Sequence, residues 1–362
     1  MSALNALAGG VFATSAPEDD DTDLRRLVEE LGAWAFDARP RPRSLPEQFD
    51  DALWDQLEQT GLSRLTSTPD LEAGPSELAI VLRGLARHAA AVPIAETELA
   101  AWLAGRAGQS LPDGPLTVAI ADADIDGGRI TGTATEVPWA RIAHAVVLAA
   151  RTDKAVHVGV LRGLNVDEHY NVAGEPSGRL TFDILAGDLT QLDPAVGHEL
   201  VRRGAWTRCV QIVGNLDAAA ALAVAHTRHR IQFGRPLNAF QSVQQALAAM
   251  AGEIERARAA TTLAVAAASD FGFAAHQTDY AVSVAKVVAG QAVPAVCTIA
   301  HQLHGAIGVT LEHPLPLFTM RSQSAITDYG STGWHARRLG RMAFASDKVW
   351  DVVVGNDVTG WE

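Results

Sequence analysis

Two stretches of the chain concentrate side chains that could bind a phosphorylated ligand. In residues 228–241, Arg230, Phe233 and Gln241 surround the string Gly234–Arg235–Pro236. A guanidinium suits a pyrophosphate, and a carboxamide adds further polar contacts. A glycine that ends one helix and a proline that starts the next predict a turn between two helices at this string. That turn does not explain the whole stretch, and Arg230 alone could equally offset the dipole of a helix C-terminus.

The second stretch, residues 302–314, contains Gln302 and Gly305. Glycine lets a ligand approach the backbone closely. His304 lies between them, and we interpret it as a packed, hydrogen-bonded residue rather than a ligand. Further along, the pair Asp328–Tyr329 lies in a predicted loop before the last helix. These segments are the candidates for chemistry.

Together these segments resemble the acyl-CoA dehydrogenase family. Residues 228–241 are similar to its R-x-x-F-G segment followed by a glutamine, residues 302–314 to its Q-x-x-G-G-x-G element, and Asp328–Tyr329 to its last loop. The string 91–97 resembles the N-terminal helical domain of actinobacterial members, and the resemblance covers roughly residues 22–350. It implies FAD as cofactor and an acyl-CoA thioester as substrate. In such enzymes a carboxylate removes the α-proton while the β-hydride passes to the flavin.

The catalytic base is the feature in which this sequence departs from the resemblance. Family members carry a glutamate at one of two positions, which correspond here to Gly330 and Gly204. Neither glycine can accept a proton, so we predict no catalytic residue; Asp328 is a weak substitute because it precedes the expected position by two residues. The family's T-E-P-x-A-G-S loop, which holds flavin and substrate, is also unrecognisable in residues 119–128.

The cofactor side of the resemblance is retained. In family dimers the equivalents of four side chains reach the FAD of the neighbouring subunit, and a glycine allows close approach; these are Arg230, Phe233, Gln241, Gln302 and Gly305. Ala306 replaces a second glycine. The resemblance therefore implies a subunit of a heteromer, such as the two-plus-two heterotetramers of actinobacterial steroid and polyketide side-chain degradation, with a paralogous partner that carries the base.

Two other functions stay open at this point. The chain could be a self-sufficient dehydrogenase or oxidase with a non-standard base, or a catalytically dead scaffold that touches no flavin. An electron-transfer flavoprotein is the electron acceptor by family analogy alone.

The elements that must position these residues change type along the chain. We predict a disordered leader over 1–21, an N-terminal helical domain over 22–112, a middle β-domain over 113–195 and a C-terminal helical bundle over 196–362. Leucines recur every three or four residues in the first region, and short β-branched runs occupy the middle. Segregated runs of helix and strand indicate an α+β fold, and the resemblance implies a four-helix bundle at the end.

Composition excludes several classes of protein. The 362 residues carry a net charge of −13, which argues against a nucleic-acid binder. Neither a CxxC nor an HExxH motif occurs, so no metal site is predicted. Apolar runs long enough to predict a membrane span are missing, and we expect a cytoplasmic protein with two buried thiols, Cys209 and Cys297.

Overall fold

The computed structural model describes residue 7 and residues 22–40 and 42–353. The predicted leader, apart from Leu7, lies outside the described residues. The chain forms two compact units. The first, here called the bundle unit, comprises Met1–Ser44, Gly74–Ala90 and Ala205–Glu362; the second, the sheet unit, comprises Leu45–Ala73 and Ala91–Gly204.

The sheet unit is built on a seven-stranded sheet with the order β5-β6-β2-β1-β3-β4-β7. Neighbouring strands are antiparallel except β1 and β3, which run parallel. Its strands are β1 (Leu116–Asp126), β2 (Arg129–Pro138), β3 (Ala145–Arg151), β4 (Val156–Leu161), β5 (Asp167–Tyr170), β6 (Pro176–Leu185) and β7 (Thr190–Leu192). Apolar side chains from β1, β2, β3 and β6 form the core of the sheet. The unit also contains α2 (Asp51–Gln59) and the almost wholly buried α4 (Ile94–Arg106).

The bundle unit consists of helices whose apolar faces meet in one core. They are α1 (Thr22–Ala38), α3 (Pro75–Arg87), the bundle part of α5 (Pro194–His229), α6 (Gln241–Phe271), α7 (His276–His304), α8 (Leu315–Ala325), α9 (Thr332–Ala345) and α10 (Val349–Val353). Met250, Ile254 and Ala257 are fully buried on one face of α6, as the spacing predicts. Many core side chains on α5, α6 and α7 are alanines, which let helices approach closely.

The α+β fold class is confirmed. The three-domain division stays a prediction, because the compact units group the helices differently. They place α1 and α3 with the bundle and α2 and α4 with the sheet. Both cysteines are free and buried, and burial raises the pKa of each thiol to about 12. They are therefore inert packing residues.

Two helical stretches are long and apolar enough to cross a membrane by length and composition. They are Pro194–His229 and His276–Val309. Within the protein, 61% and 56% of their most apolar windows are buried, as in the core helices of a bundle.

A buried network of ion pairs inside the bundle unit is expected to affect the free energy of unfolding strongly. Arg83 donates to one oxygen of Asp217 at 2.7 Å, and Arg258 donates to both oxygens; the three side chains are less than a tenth exposed. Asp217→Ala leaves two buried guanidiniums without their shared carboxylate. We expect it to lower the free energy of unfolding by about 3–5 kcal/mol, measured by urea denaturation. Asp183→Ala removes an exposed pair with Arg129 and should cost less than about 1 kcal/mol; equal losses would contradict this account.

Candidate functional site

The first candidate stretch forms a β-hairpin between two helices. After α5 ends at His229, β8 (Ile231–Gln232) pairs with β9 (Arg235–Pro236) across a turn at Phe233–Gly234. The two turn residues have φ values of 53° and 77°, which is the backbone of a two-residue type I′ turn. The predicted turn at Gly234–Arg235–Pro236 was therefore displaced: only Gly234 lies at the tip, since strand pairing places Arg235 opposite Gln232.

The tip of this hairpin exposes two large apolar side chains. Phe233 is 91% exposed and Ile231 is 61% exposed. Phe233 meets Phe240 edge-on at 6.1 Å between ring centroids, and the guanidinium of Arg235 stacks 4.0 Å from the Phe240 centroid. A phenylalanine held at positive φ with its ring this exposed is unusual, which makes the hairpin tip a candidate contact surface.

The second candidate stretch begins at the end of α7. Gln302 is exposed on its last turn. Gly305 ends the helix at φ 67°, and its N–H donates to the carbonyl of His301. A methyl group at position 305 would meet nothing within 4 Å among the described residues, so the space beside this backbone is open to a ligand.

The structure brings the two stretches side by side. His226, on the last turn of α5, packs against His304, on the last turn of α7, with 4.6 Å between ring centroids. Arg230 and Gln241 are exposed, and neither side chain forms a hydrogen bond or ion pair that involves only described residues. We call the exposed surface formed by Arg230, Phe233, Gln241, Gln302 and Gly305 the junction face. His304 is buried and hydrogen-bonded to Ala300, as the sequence predicts.

Position 330, where family members place a glutamate, has no room for a side chain. Gly330 has a φ of 100°. A Cβ there would lie 2.7 Å from the indole of Trp334 and 2.9 Å from Nε2 of His335. The guanidinium of Arg338 covers the Trp334 ring at 5.3 Å and donates to Asp279 at 2.6 Å. This packing closes the position.

His335 is locked in one neutral tautomer beside this closed position. Its Nε2 lies 3.1 Å from the carbonyl of Tyr329, and its Nδ1 lies 3.3 Å from the Ser283 hydroxyl. Because a carbonyl only accepts, we assign the proton to Nε2, and Nδ1 then accepts from the hydroxyl. Burial lowers the pKa of His335 to about 4, so the ring is uncharged near neutral pH.

The remaining acid of this loop is engaged in an ion pair. The Asp328 carboxylate accepts from Arg208 at 2.8 Å. The buried ammonium of Lys286 donates to the Asp328 carbonyl at 2.7 Å and to the Ala325 carbonyl at 3.1 Å, and burial lowers its pKa. These contacts anchor the loop after α8. Gly204, the other expected base position, is buried inside α5.

Comparison with known proteins finds a matching family and several relatives. Residues 198–344 match the family described as Acyl-CoA dehydrogenase, C-terminal domain. Acyl-CoA dehydrogenase FadE27 of Mycobacterium tuberculosis is 27% identical over 349 residues, covering 82% of this chain and 89% of the relative. Residues 198–344 thus resemble the C-terminal domain of acyl-CoA dehydrogenases, and most of the chain is similar to FadE27.

Solved structures of acyl-CoA dehydrogenases share the fold of this chain. The ChsE4-ChsE5 complex from Mycobacterium tuberculosis aligns with a TM-score of 0.82 at 24% identity, covering 93% of this chain and 100% of that one. The Tcur3481-Tcur3483 steroid ACAD aligns with a TM-score of 0.78 at 25% identity, covering 92% and 97%. The predicted acyl-CoA dehydrogenase fold is therefore confirmed, and the cofactor of this family is FAD.

Groups suited to binding FAD occur at the junction face but not in the segment expected to form the flavin loop, in which every residue is described. In the sheet unit, the segment expected to form the flavin loop is instead the strand β1, which turns at Gly127–Gly128 directly into β2, with Asp126 opposite Arg129. The two glycines have φ values of 54° and 77°, a tight hairpin turn with no loop to cradle a ring. In the bundle unit, by contrast, the junction face offers cationic, amide and aromatic groups beside open space.

Two features of the chain were not predicted from the sequence. His226 and His313 flank His304 in space, although the sequence separates His226 from it widely. Trp334 and Lys286 determine the shape of the 326–331 loop. Only the pair of histidines at 301 and 304, one turn apart on a predicted helix, gave a local signal. No three His, Cys, Asp or Glu side chains within the described ranges are grouped to hold a metal ion.

Proposed function

We propose that this chain is the base-lacking subunit of a heteromeric acyl-CoA dehydrogenase, in which it completes the FAD site of a paralogous partner that carries the base. One observation carries the proposal. The position of the family's glutamate is a glycine packed against Trp334 and His335, while the junction face remains exposed. A chain built in this way lacks the means to remove a proton but retains the means to hold a nucleotide.

The junction face suits the ADP half of FAD. Arg230 would bind the pyrophosphate, because a guanidinium pairs with phosphate oxygens in a directed way. Gln241 and Gln302 would supply polar contacts, Phe233 would pack against the cofactor, and Gly305 would let the backbone approach. FAD, when bound, supplies the acceptor for the β-hydride. The ChsE4-ChsE5 complex, a likeness in fold, is an assembly of two different chains, which agrees with a paralogous partner.

The substrate we propose is a bulky acyl-CoA thioester, such as one with a steroid side chain. The likeness to a steroid ACAD supports this choice, as does the family of the C-terminal domain. We further propose that the electrons pass to an electron-transfer flavoprotein, by family analogy, and that the assembly works in the cytoplasm. The net charge of −13 supports the absence of a nucleic-acid partner.

Two alternatives make different predictions. A self-sufficient enzyme would need a base, and Asp328 is the nearest acid to the expected position, yet Arg208 engages its carboxylate at 2.8 Å. A dead scaffold would need no exposed cofactor-binding groups, yet Arg230 and Gln302 are exposed next to an open backbone. Both observations favour the cofactor-completing subunit.

The experiment that tests the proposal is turnover by the assembly purified from cells that co-express this chain with a glutamate-bearing paralogue. Replacing the paralogue's glutamate with glutamine should abolish acyl-CoA oxidation. Asp328→Asn in this chain, which keeps the shape of the side chain, should leave kcat within about threefold. Loss of turnover in the second variant with retention in the first would overturn the proposal in favour of a self-sufficient enzyme.

A further inference from the structure

Three histidine rings pack against one another beside the two stretches that form the junction face. His304 lies between His226 and His313, and each neighbouring ring centroid is 4.6 Å from its own. His304 is only 5% exposed. Arg230 follows His226 by one helical turn, while Gln302 and Gly305 lie next to His304 in the chain. The His304 ring is therefore the contact that joins the hairpin stretch to the α7 stretch.

Backbone contacts transmit the position of these rings to the junction face. The Arg230 N–H donates to the carbonyl of His226 at 2.8 Å. Nδ1 of His304 lies 2.7 Å from the carbonyl of Ala300. A Cβ at Gly308 would lie 2.7 Å from Cβ of His304, so the turn that follows Gly305 packs directly on this residue. A shift of the His304 ring would move both stretches.

The surroundings of the cluster disfavour positive charge. His301 on α7 lies next to it, with its Nε2 2.9 Å from the Thr319 hydroxyl of α8. Arg230 faces His226 from beyond α5, and the segment before His313 accepts a hydrogen bond from the Arg43 backbone at Leu311. The neighbouring core side chains of α6 are apolar, Leu247 and Met250. Glu312, next to His313 in the chain, is exposed.

Burial and mutual repulsion act on the histidines in the same direction. Burial, and then the neighbouring charges, lower the pKa of His226, His301 and His313, in the last case to about 4. Burial also lowers the pKa of His304, and hydrogen bonds to backbone groups act against this shift. A folded-state pKa below the unfolded value means that the unfolded chain takes up protons first. The stability of the cluster is thus complete above about pH 6.5 and lost as the pH falls toward about 4.

We propose that His304 is a positioning residue: packed between the rings of His226 and His313, it holds the hairpin and the Gly305 turn in the arrangement that receives the partner's FAD, and protonation of the cluster releases that arrangement. This inference rests on the proposed function, because it assigns a pH-dependent support to the same face.

The test follows flavin retained by the co-expressed assembly as the pH is lowered from about 7.5 to about 4. The wild-type assembly should lose flavin over this range. His226→Phe keeps a ring in the stack but cannot be protonated, so its midpoint of flavin loss should lie at least about half a pH unit lower. His198→Phe, an exposed histidine in the sheet unit, is the matched control and should follow the wild type. His304→Ala, which removes the central ring, should lower flavin retention several-fold already at neutral pH.

An independent readout is the NMR titration of the ring nitrogens in the flavin-free assembly, where the His226 pKa should rise in His304→Phe because His304 lowers it in the wild type. An unchanged midpoint of flavin loss in His226→Phe and an unchanged His226 titration in His304→Phe would overturn the inference. The proposed function fails separately, if Arg230→Ala with Gln302→Ala leaves flavin content unchanged near neutral pH.

Discussion

The double variant Arg230→Ala with Gln302→Ala is expected to lose flavin from the assembly with the base-bearing partner while the chain stays folded. Both side chains are exposed, and neither supports the core. Each hydrogen bond to a charged phosphate contributes about 1.5–3 kcal/mol, so two lost contacts weaken FAD binding by roughly two to four orders of magnitude. Absorbance of the purified assembly and FAD titration of the stripped assembly measure this effect.

Arg228→Ala is the matched control for this variant. Arg228 is also an exposed arginine, on the last turn of α5 and two residues before Arg230. Removing it alters the net charge by the same amount as Arg230→Ala, and we expect flavin content to stay within about twofold of wild type. Equal losses of flavin in the control and in the double variant would mean that the change in net charge, and not the loss of specific contacts, causes the effect. Unchanged flavin content in the double variant would favour the alternative in which this chain is a scaffold that touches no flavin.

Restoring glutamate at position 330 is expected to fail as a gain of function. Gly330→Glu places a side chain on a backbone at φ 100°, where its Cβ would contact Trp334 and His335 at less than 3 Å. Backbone strain and overpacking together should lower the free energy of unfolding by about 2–5 kcal/mol. The carboxylate would also have to displace a ring that Arg338 and Asp279 hold in place.

Gly333→Glu is the matched control for Gly330→Glu. Gly333 lies in the first turn of α9, and a Cβ there makes only an ordinary contact, 3.6 Å from Arg337. An acidic residue at that place should be tolerated, because it favours the N-terminus of a helix. Urea denaturation should separate the two variants, and turnover should be measured with a partner whose glutamate is replaced. Wild-type stability together with turnover in Gly330→Glu would show that position 330 is an open site.

Much of the fold could be predicted from the sequence because its signals are local. Leucine spacing, β-branched runs and the apolar face at Met250 and Ile254 give the element types, and the α+β class follows from their order. The grouping into compact units was not readable, since long-range packing decides whether α2 and α4 join the sheet. The hairpin at Phe233 was hidden for a related reason: phenylalanine at positive φ contradicts its local preference, and only the surrounding chain can impose it.

In the candidate site too, residue types could be read from the sequence, but the contacts between them could not. Arg230, Gln302 and the glycines at the two expected glutamate positions could be singled out from the sequence, because each is a residue type at a motif position; their roles stay predictions. The closure of position 330 could not be predicted from the sequence, because it depends on how the Trp334 and His335 rings pack back against Gly330. The histidine cluster depends on two helix ends meeting in space, and no spacing in the sequence encodes that meeting.

The most direct test of the central claim is the flavin stoichiometry of this chain purified alone and with its glutamate-bearing paralogue. We predict a colourless lone chain and an assembly with about one FAD per pair of chains, because under the proposed function the two chains share each flavin site. A lone chain that binds stoichiometric FAD, bleached by an acyl-CoA, would contradict the account.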